Sequence, residues 1–182
     1  MFALVLVILL LVGRAAAADD SRTAAQQALD KGDIAKAREI LDNALKDNKD
    51  DADLHFRAAR AARIAGAPDA AEQHLKECER QKKIERGVAL ERKLLRAQFA
   101  ELRKVEEELK KNAAERDYPE AYLVLEALSL GYVRYFRYPD AFKCLNDWLE
   151  RRPDDVRALL LRAEVWDHVS HDQWKAGRGL ST

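Results

Sequence analysis

Cysteine is nearly missing from this chain: Cys78 and Cys144 are the only two. A disulfide framework or a thiolate metal site therefore cannot carry the fold, and two buried free thiols are expected. Charge of one sign is missing too, because 32 Lys and Arg offset 32 Asp and Glu. Without a one-sided basic block there is no electrostatic reason to expect a nucleic-acid partner. Seven glycines and four prolines in 182 residues leave few chain breaks, which favours long ordered helices over low complexity. The sequence contains no C-x-x-C, no Gly-rich phosphate loop and no G-x-S-x-G, so no cofactor and no catalytic residue is assigned.

One long apolar run is present, Phe2 to Val12. Its eleven residues are about half of the ~20 that span a bilayer as a helix. The small residues Ala16-Ala17-Ala18 before Asp19-Asp20 supply an A-x-A cleavage pattern, so residues 1–18 read as a secretory signal peptide cut after Ala18. No Lys or Arg precedes the run, and a signal anchor retained in the membrane is the alternative. Export to the periplasm or the medium is the expectation. Residues 19–176 form the domain and 177–182 a tail.

What fills the domain is a repeat. Gly66 lies 34 residues after Gly32, Ala71 lies 34 after Ala37, and Leu75 lies 34 after Leu41. Each glycine separates two apolar-periodic runs, which predicts antiparallel helix pairs. In the third unit the glycine is replaced by Ala100; a turn is expected near Phe99 to Leu102, with Val105 and Leu109 keeping the second helix in register, and the alternative is one long charged helix through the tract. Glu106 with Lys110 and Glu107 with Lys111 are expected as i,i+4 pairs on a solvated face. A fourth unit follows at 36 residues, with Ala141 and Leu145. Asp155 caps a last helix whose packing face is expected at Leu159, Leu160, Ala163 and Trp166.

The fourth unit, residues 123–153, has Leu125, Leu128, Ser129 and Tyr132 on its first run, then Ala141, Leu145 and Pro153. These spacings resemble the tetratricopeptide repeat, whose pattern is W-x2-L-G-x2-Y, A-x3-F, P. The resemblance implies an all-α fold: a right-handed superhelical stack of antiparallel hairpins, about four of them plus a C-terminal capping helix. It also implies a non-catalytic scaffold that holds a protein or peptide partner in a concave groove. In this family the first helix of each hairpin lines that groove, which puts Phe56, Arg60, Arg63, Glu126, Leu130 and Arg134 toward it. The Arg guanidinium groups would take carboxylates. Asn43, Asn48, Asn112 and Asn146 lie away from those positions, which disfavours an acidic chaperone tail as the ligand.

Two other clusters carry alternatives. His168 and His171 stand three apart on the last helix, close enough to share a metal in a metal-binding or enzymatic protein, although no Glu completes an H-E-x-x-H. Ten of the thirteen aromatics lie between Tyr118 and Trp174, and most are needed as core. Tyr135 and Trp174 are the least required by the repeat, so self-association through the C-terminal end is a further possibility.

Overall fold

The computed structural model describes the backbone of residues 18–175 and the side chains of residues 18–170. The apolar run, the tail, and the side chains of His171 and Trp174 lie outside the described residues. Helices occupy almost all of what is described, and within each of two units consecutive helices pack on one another as in a tetratricopeptide-type solenoid. They are α1 (18–30), α2 (Ile34–Asp47), α3 (Ala52–Ile64), α4 (Pro68–Arg80), α5 (Glu85–Phe99), α6 (Leu102–Ala114), α7 (Ala121–Arg134), α8 (Tyr138–Arg151) and α9 (Val156–Lys175). Two compact units divide the chain, one ending at Arg92 and the other beginning at Lys93.

Local chemistry starts and stops these helices. The Asp33 carboxylate accepts from the Lys36 N–H, and Asp51 from Asp53 and Leu54, each satisfying donors left free in a first helical turn. Pro68 opens α4 and Pro139 falls in the first turn of α8, where a missing N–H costs nothing. Asp155 caps α9 by accepting from Arg157 and Ala158.

The repeat is written in the turns. Asp33 N–H donates to Ala28 C=O at 2.9 Å, Ala67 to Ala62 at 2.9 Å, Glu101 to Arg96 at 2.8 Å, and Arg137 to Tyr132 at 2.8 Å. Each bond reaches back five residues and closes a helix end as a Schellman motif does. Three of these turns pass through a left-handed residue: Gly32 and Gly66, both at φ +77°, and Phe136 at φ +57°. The third turn, at Ala100, closes without a left-handed residue. The break expected between Phe99 and Leu102 is therefore real, and α5 and α6 are separate helices.

Past each turn the second helix repeats one packing pattern. Ala37, Ala71 and Ala141 are wholly buried, Val105 nearly so, and Leu41, Leu75, Leu109 and Leu145 are wholly buried four residues later. A small residue lets the helix axes approach, and the leucine then fills the gap, contributing about 1.5–3 kcal/mol by burial.

In the first unit the core is alanine-rich, with Ala18, Ala25, Ala28, Ala58 and Ala61 around Leu29, Leu41 and Leu54. In the second unit α7 is buried on nearly every side, from Ala121 through Tyr132, as a helix between layers must be. Gly131 marks its closest approach: a Cβ there would run into the Ala97 carbonyl of α5. Cys78 and Cys144 are buried free thiols. Burial pushes the thiol of Cys78 up to about 11 and that of Cys144 up to about 12, so neither is a ready nucleophile.

Two expectations are corrected. Glu106 is not on a solvated face; it is buried and takes bonds from Tyr132, Arg137 and Lys110. The last helix packs through Ala158 and Val165, whereas Val156, Leu159, Leu160 and Trp166 are exposed. Sequence periodicity locates an apolar stripe without saying which stripe meets the neighbour, and α9 has two.

Candidate protein-binding faces

Six side chains were expected to line a groove, and they fall into two sets. Arg63 is wholly buried, with its Nε 2.5 Å from Oε1 of Glu91, itself 1% exposed. Arg60 also reaches Glu91, at 3.4 Å, and lies over the Phe56 ring at 5.1 Å. Arg63 is thus held by Glu91, and Arg60 reaches the same carboxylate through its Nε. In the second unit Glu126 is buried and bonded to Arg157 at 2.5 Å. Arg63 and Glu126 are therefore structural ion-pair members rather than groove-lining groups. A buried charge must be paired, and each has found its partner on the next first-type helix.

Sequence reasoning missed Glu91 and Arg157, although a signal was there. Arg60 and Glu91 are 31 residues apart, and so are Glu126 and Arg157. Opposite charges at one constant offset on successive first helices are an internal tie that recurs with the repeat.

Leu130 and Arg134 belong to the second set. Leu130 is half-buried and Arg134 exposed, its guanidinium 6.0 Å from the centre of the Phe99 ring. Just beyond them the α7–α8 turn presents Tyr135, 46% exposed, and Phe136, 78% exposed. The Tyr135 hydroxyl donates to the Ala100 carbonyl at 2.9 Å, fixing the ring against the α5–α6 turn. A hollow of about 390 Å³ lies beside it, lined by Ala100, Glu101, Leu102, Arg103, Lys104, Tyr135 and Arg137. Arg103 and Lys104 are exposed, Lys104 paired to Glu101, so this end of the second unit combines aromatic surface with the exposed guanidinium of Arg103.

Glu106 anchors the same end from inside. Burial raises its proton affinity, but hydrogen bonds from Arg137, Lys110 and Tyr132 outweigh that and hold its carboxyl down at about 2. Arg137 grips it with two nitrogens, at 2.9 and 3.0 Å, while its third bonds Asp140. The paired guanidinium fixes the turn that carries Phe136.

Of the expected His168 and His171 pair, only the side chain of His168 is among the described residues. His168 stacks on Tyr138, ring centres 5.0 Å apart and nearly parallel. His55 and His74, on α3 and α4, meet at 3.0 Å between their Nδ1 atoms, and the other nitrogen of His55 lies 2.8 Å from the Lys49 carbonyl. Among the described residues no group of three or more His, Cys, Asp or Glu converges as a metal site would require. No described helix is long and apolar enough to cross a membrane.

Residues 28–83 match a family model described as tetratricopeptide repeat. The matched stretch runs from the end of α1 through α2, α3 and α4, less than half of the chain, and it supports a tetratricopeptide-repeat protein. No curated protein and no solved structure matches the chain.

Proposed function

We propose that this is an exported, non-catalytic scaffold that binds another protein through the end of its second unit, where α7 turns into α8. Tetratricopeptide repeats are in general protein-interaction modules, and the candidate face is Leu130, Arg134, Tyr135 and Phe136 with Arg103 beside it. One observation carries the reading. Phe136 holds a backbone conformation that costs a non-glycine residue on the order of 1 kcal/mol, and its ring is 78% exposed. The ring touches Tyr138 edge to face, centres 6.3 Å apart, but most of it stays open to solvent, and a partner contact would use that open surface. The neighbouring cations suit a partner segment that carries carboxylates near an apolar side chain.

The export half of the proposal rests on the apolar run and on Ala16-Ala17-Ala18. N-terminal sequencing of the mature protein should find Asp19 first; an intact Met1 in the purified envelope fraction points instead to a retained anchor. For the binding half, affinity capture from the envelope or secreted fraction should recover a partner with wild type. A Phe136→Gly, Arg134→Glu double variant should lose that partner, and equal recovery by both overturns this face. Residues Arg63 and Glu126 are unsuitable for such a test, because their loss would damage the fold first.

A further inference from the structure

Where the α5–α6 and α7–α8 turns meet, the second unit is rich in guanidinium groups and poor in free carboxylates. Arg96, Arg103 and Arg134 are all exposed at this end, and among the described residues none of the three is paired with an acid. The Arg96 carbonyl accepts from the Glu101 N–H at 2.8 Å, and Arg103 follows in the first turn of α6. Arg134 lies over the Phe99 ring, and the bond from Tyr135 to the Ala100 carbonyl holds the two turns together. The remaining charges here are already matched: Lys104 holds Glu101, and Arg137 holds Glu106 and Asp140. Glu101 is kept below its ordinary range first by Lys104 and then by the charge of Arg96, which places that arginine beside the hollow. The hollow itself is apolar at its base, with Leu102 2% exposed and the pinned ring of Tyr135 as one wall. Its volume of about 390 Å³ is at the small end of the roughly 300–1,000 Å³ typical of ligand hollows, which suits one large side chain better than a docked helix.

We infer that the partner held at this end presents an acidic segment with one large apolar side chain, seated in the hollow, and flanking carboxylates on Arg96, Arg103 and Arg134. The inference rests on the protein-binding reading and names the partner's chemistry at that same site. Charge complementarity selects the occupant. Each guanidinium fork can take a carboxylate through two parallel N–H bonds, whereas a basic segment would add cations to three that are unneutralised. All three arginines are at the surface, so salt should screen their attraction, while the hollow decides which side chain anchors the segment.

The probe is a fluorescein-labelled peptide with one phenylalanine between two runs of three acidic residues, titrated against the full chain and followed by anisotropy. Saturable binding is expected at low salt. It should weaken at least tenfold when the phenylalanine becomes serine, when the acids become their amides, and with Arg96→Glu plus Arg103→Glu in the protein. Arg116→Glu reverses an exposed charge beyond the far end of α6 and should change binding less than twofold. Both mutated arginines of the site are exposed, so the double variant should keep wild-type circular dichroism, and the peptide changes leave the protein untouched. Absent saturation overturns the inference, as does binding that ignores the serine replacement or falls equally with Arg116→Glu. Pelleting on phosphatidylglycerol vesicles without peptide binding also overturns it, giving the arginines to a lipid surface. A captured partner lost with Phe136→Gly, Arg134→Glu but kept with Arg96→Glu, Arg103→Glu would retain the protein-binding face and overturn the acidic segment alone.

Discussion

Phe136 occupies the backbone station that Gly66 occupies in the second hairpin, at φ +57° against +77°. In both turns the preceding helix is closed by the same five-residue hydrogen bond, Arg137 to Tyr132 in one and Ala67 to Ala62 in the other. Glycine enters that conformation without strain; phenylalanine does not. Replacing Phe136 with Gly should therefore leave stability unchanged or raise it by up to about 1 kcal/mol, after the entropy glycine adds to the unfolded chain is deducted. Urea denaturation checks this, and a loss above about 1 kcal/mol would mean that the ring is held by packing.

Two glycines should respond differently to the same substitution. Around Gly66 an added Cβ meets nothing within 4 Å, so Gly66→Ala should cost only the backbone term, about 1 kcal/mol. At Gly131 the Cβ collides with the Ala97 carbonyl, a backbone atom that cannot swing aside. Gly131→Ala should cost about 1–3 kcal/mol as overpacking, read from thermal or urea midpoints.

Breaking the Arg63–Glu91 pair should be a folding defect and not a binding defect. Both groups are buried, so Glu91→Ala removes a carboxylate that Arg63 and Arg60 share and should cost about 3–5 kcal/mol. Replacing the charged pair jointly, as Arg63→Met with Glu91→Leu, should recover most of the loss in a double-mutant cycle.

Acid should loosen the second unit through Glu106. Its folded carboxyl sits at about 2 against an ordinary 4.5, so the unfolded chain takes up the proton first as pH falls. The stability it contributes is complete above 4.5 and is lost progressively between 4.5 and about 2. Glu106→Gln should flatten the stability profile across that window; an unchanged slope would show that other carboxylates set it.

Near neutrality the His55–His74 contact should set a second slope, in the first unit. Burial, then the neighbouring charge of His55, lowers the proton affinity of His74 below its ordinary 6.5. The unfolded chain therefore binds the proton more readily, and stability should fall as pH drops below 6.5, while remaining flat above it. The His74→Gln variant should lose that dependence in urea midpoints measured on either side of 6.5.

The helix pairs, their period and the turn at Ala100 were legible in residue order because they rest on local chemistry. Glycine or proline between apolar stripes, and an Ala-x3-Leu spacing carried from Ala37 to Ala141, need no knowledge of neighbours. The candidate site was legible only in part. Leu130 is half-buried and Arg134 exposed, while Arg63 and Glu126 have partners 28 and 31 residues away that no local pattern names.

What sequence alone determined is thus the hairpin and the place of each break, because a stripe and a cap act within a few residues. Tertiary structure decided which of two apolar faces on α9 is covered, which arginines are spent on internal carboxylates, and that Phe136 points outward. Burial of a charge or a ring depends on what arrives from another layer, and that distance is not written in the spacing of any one helix.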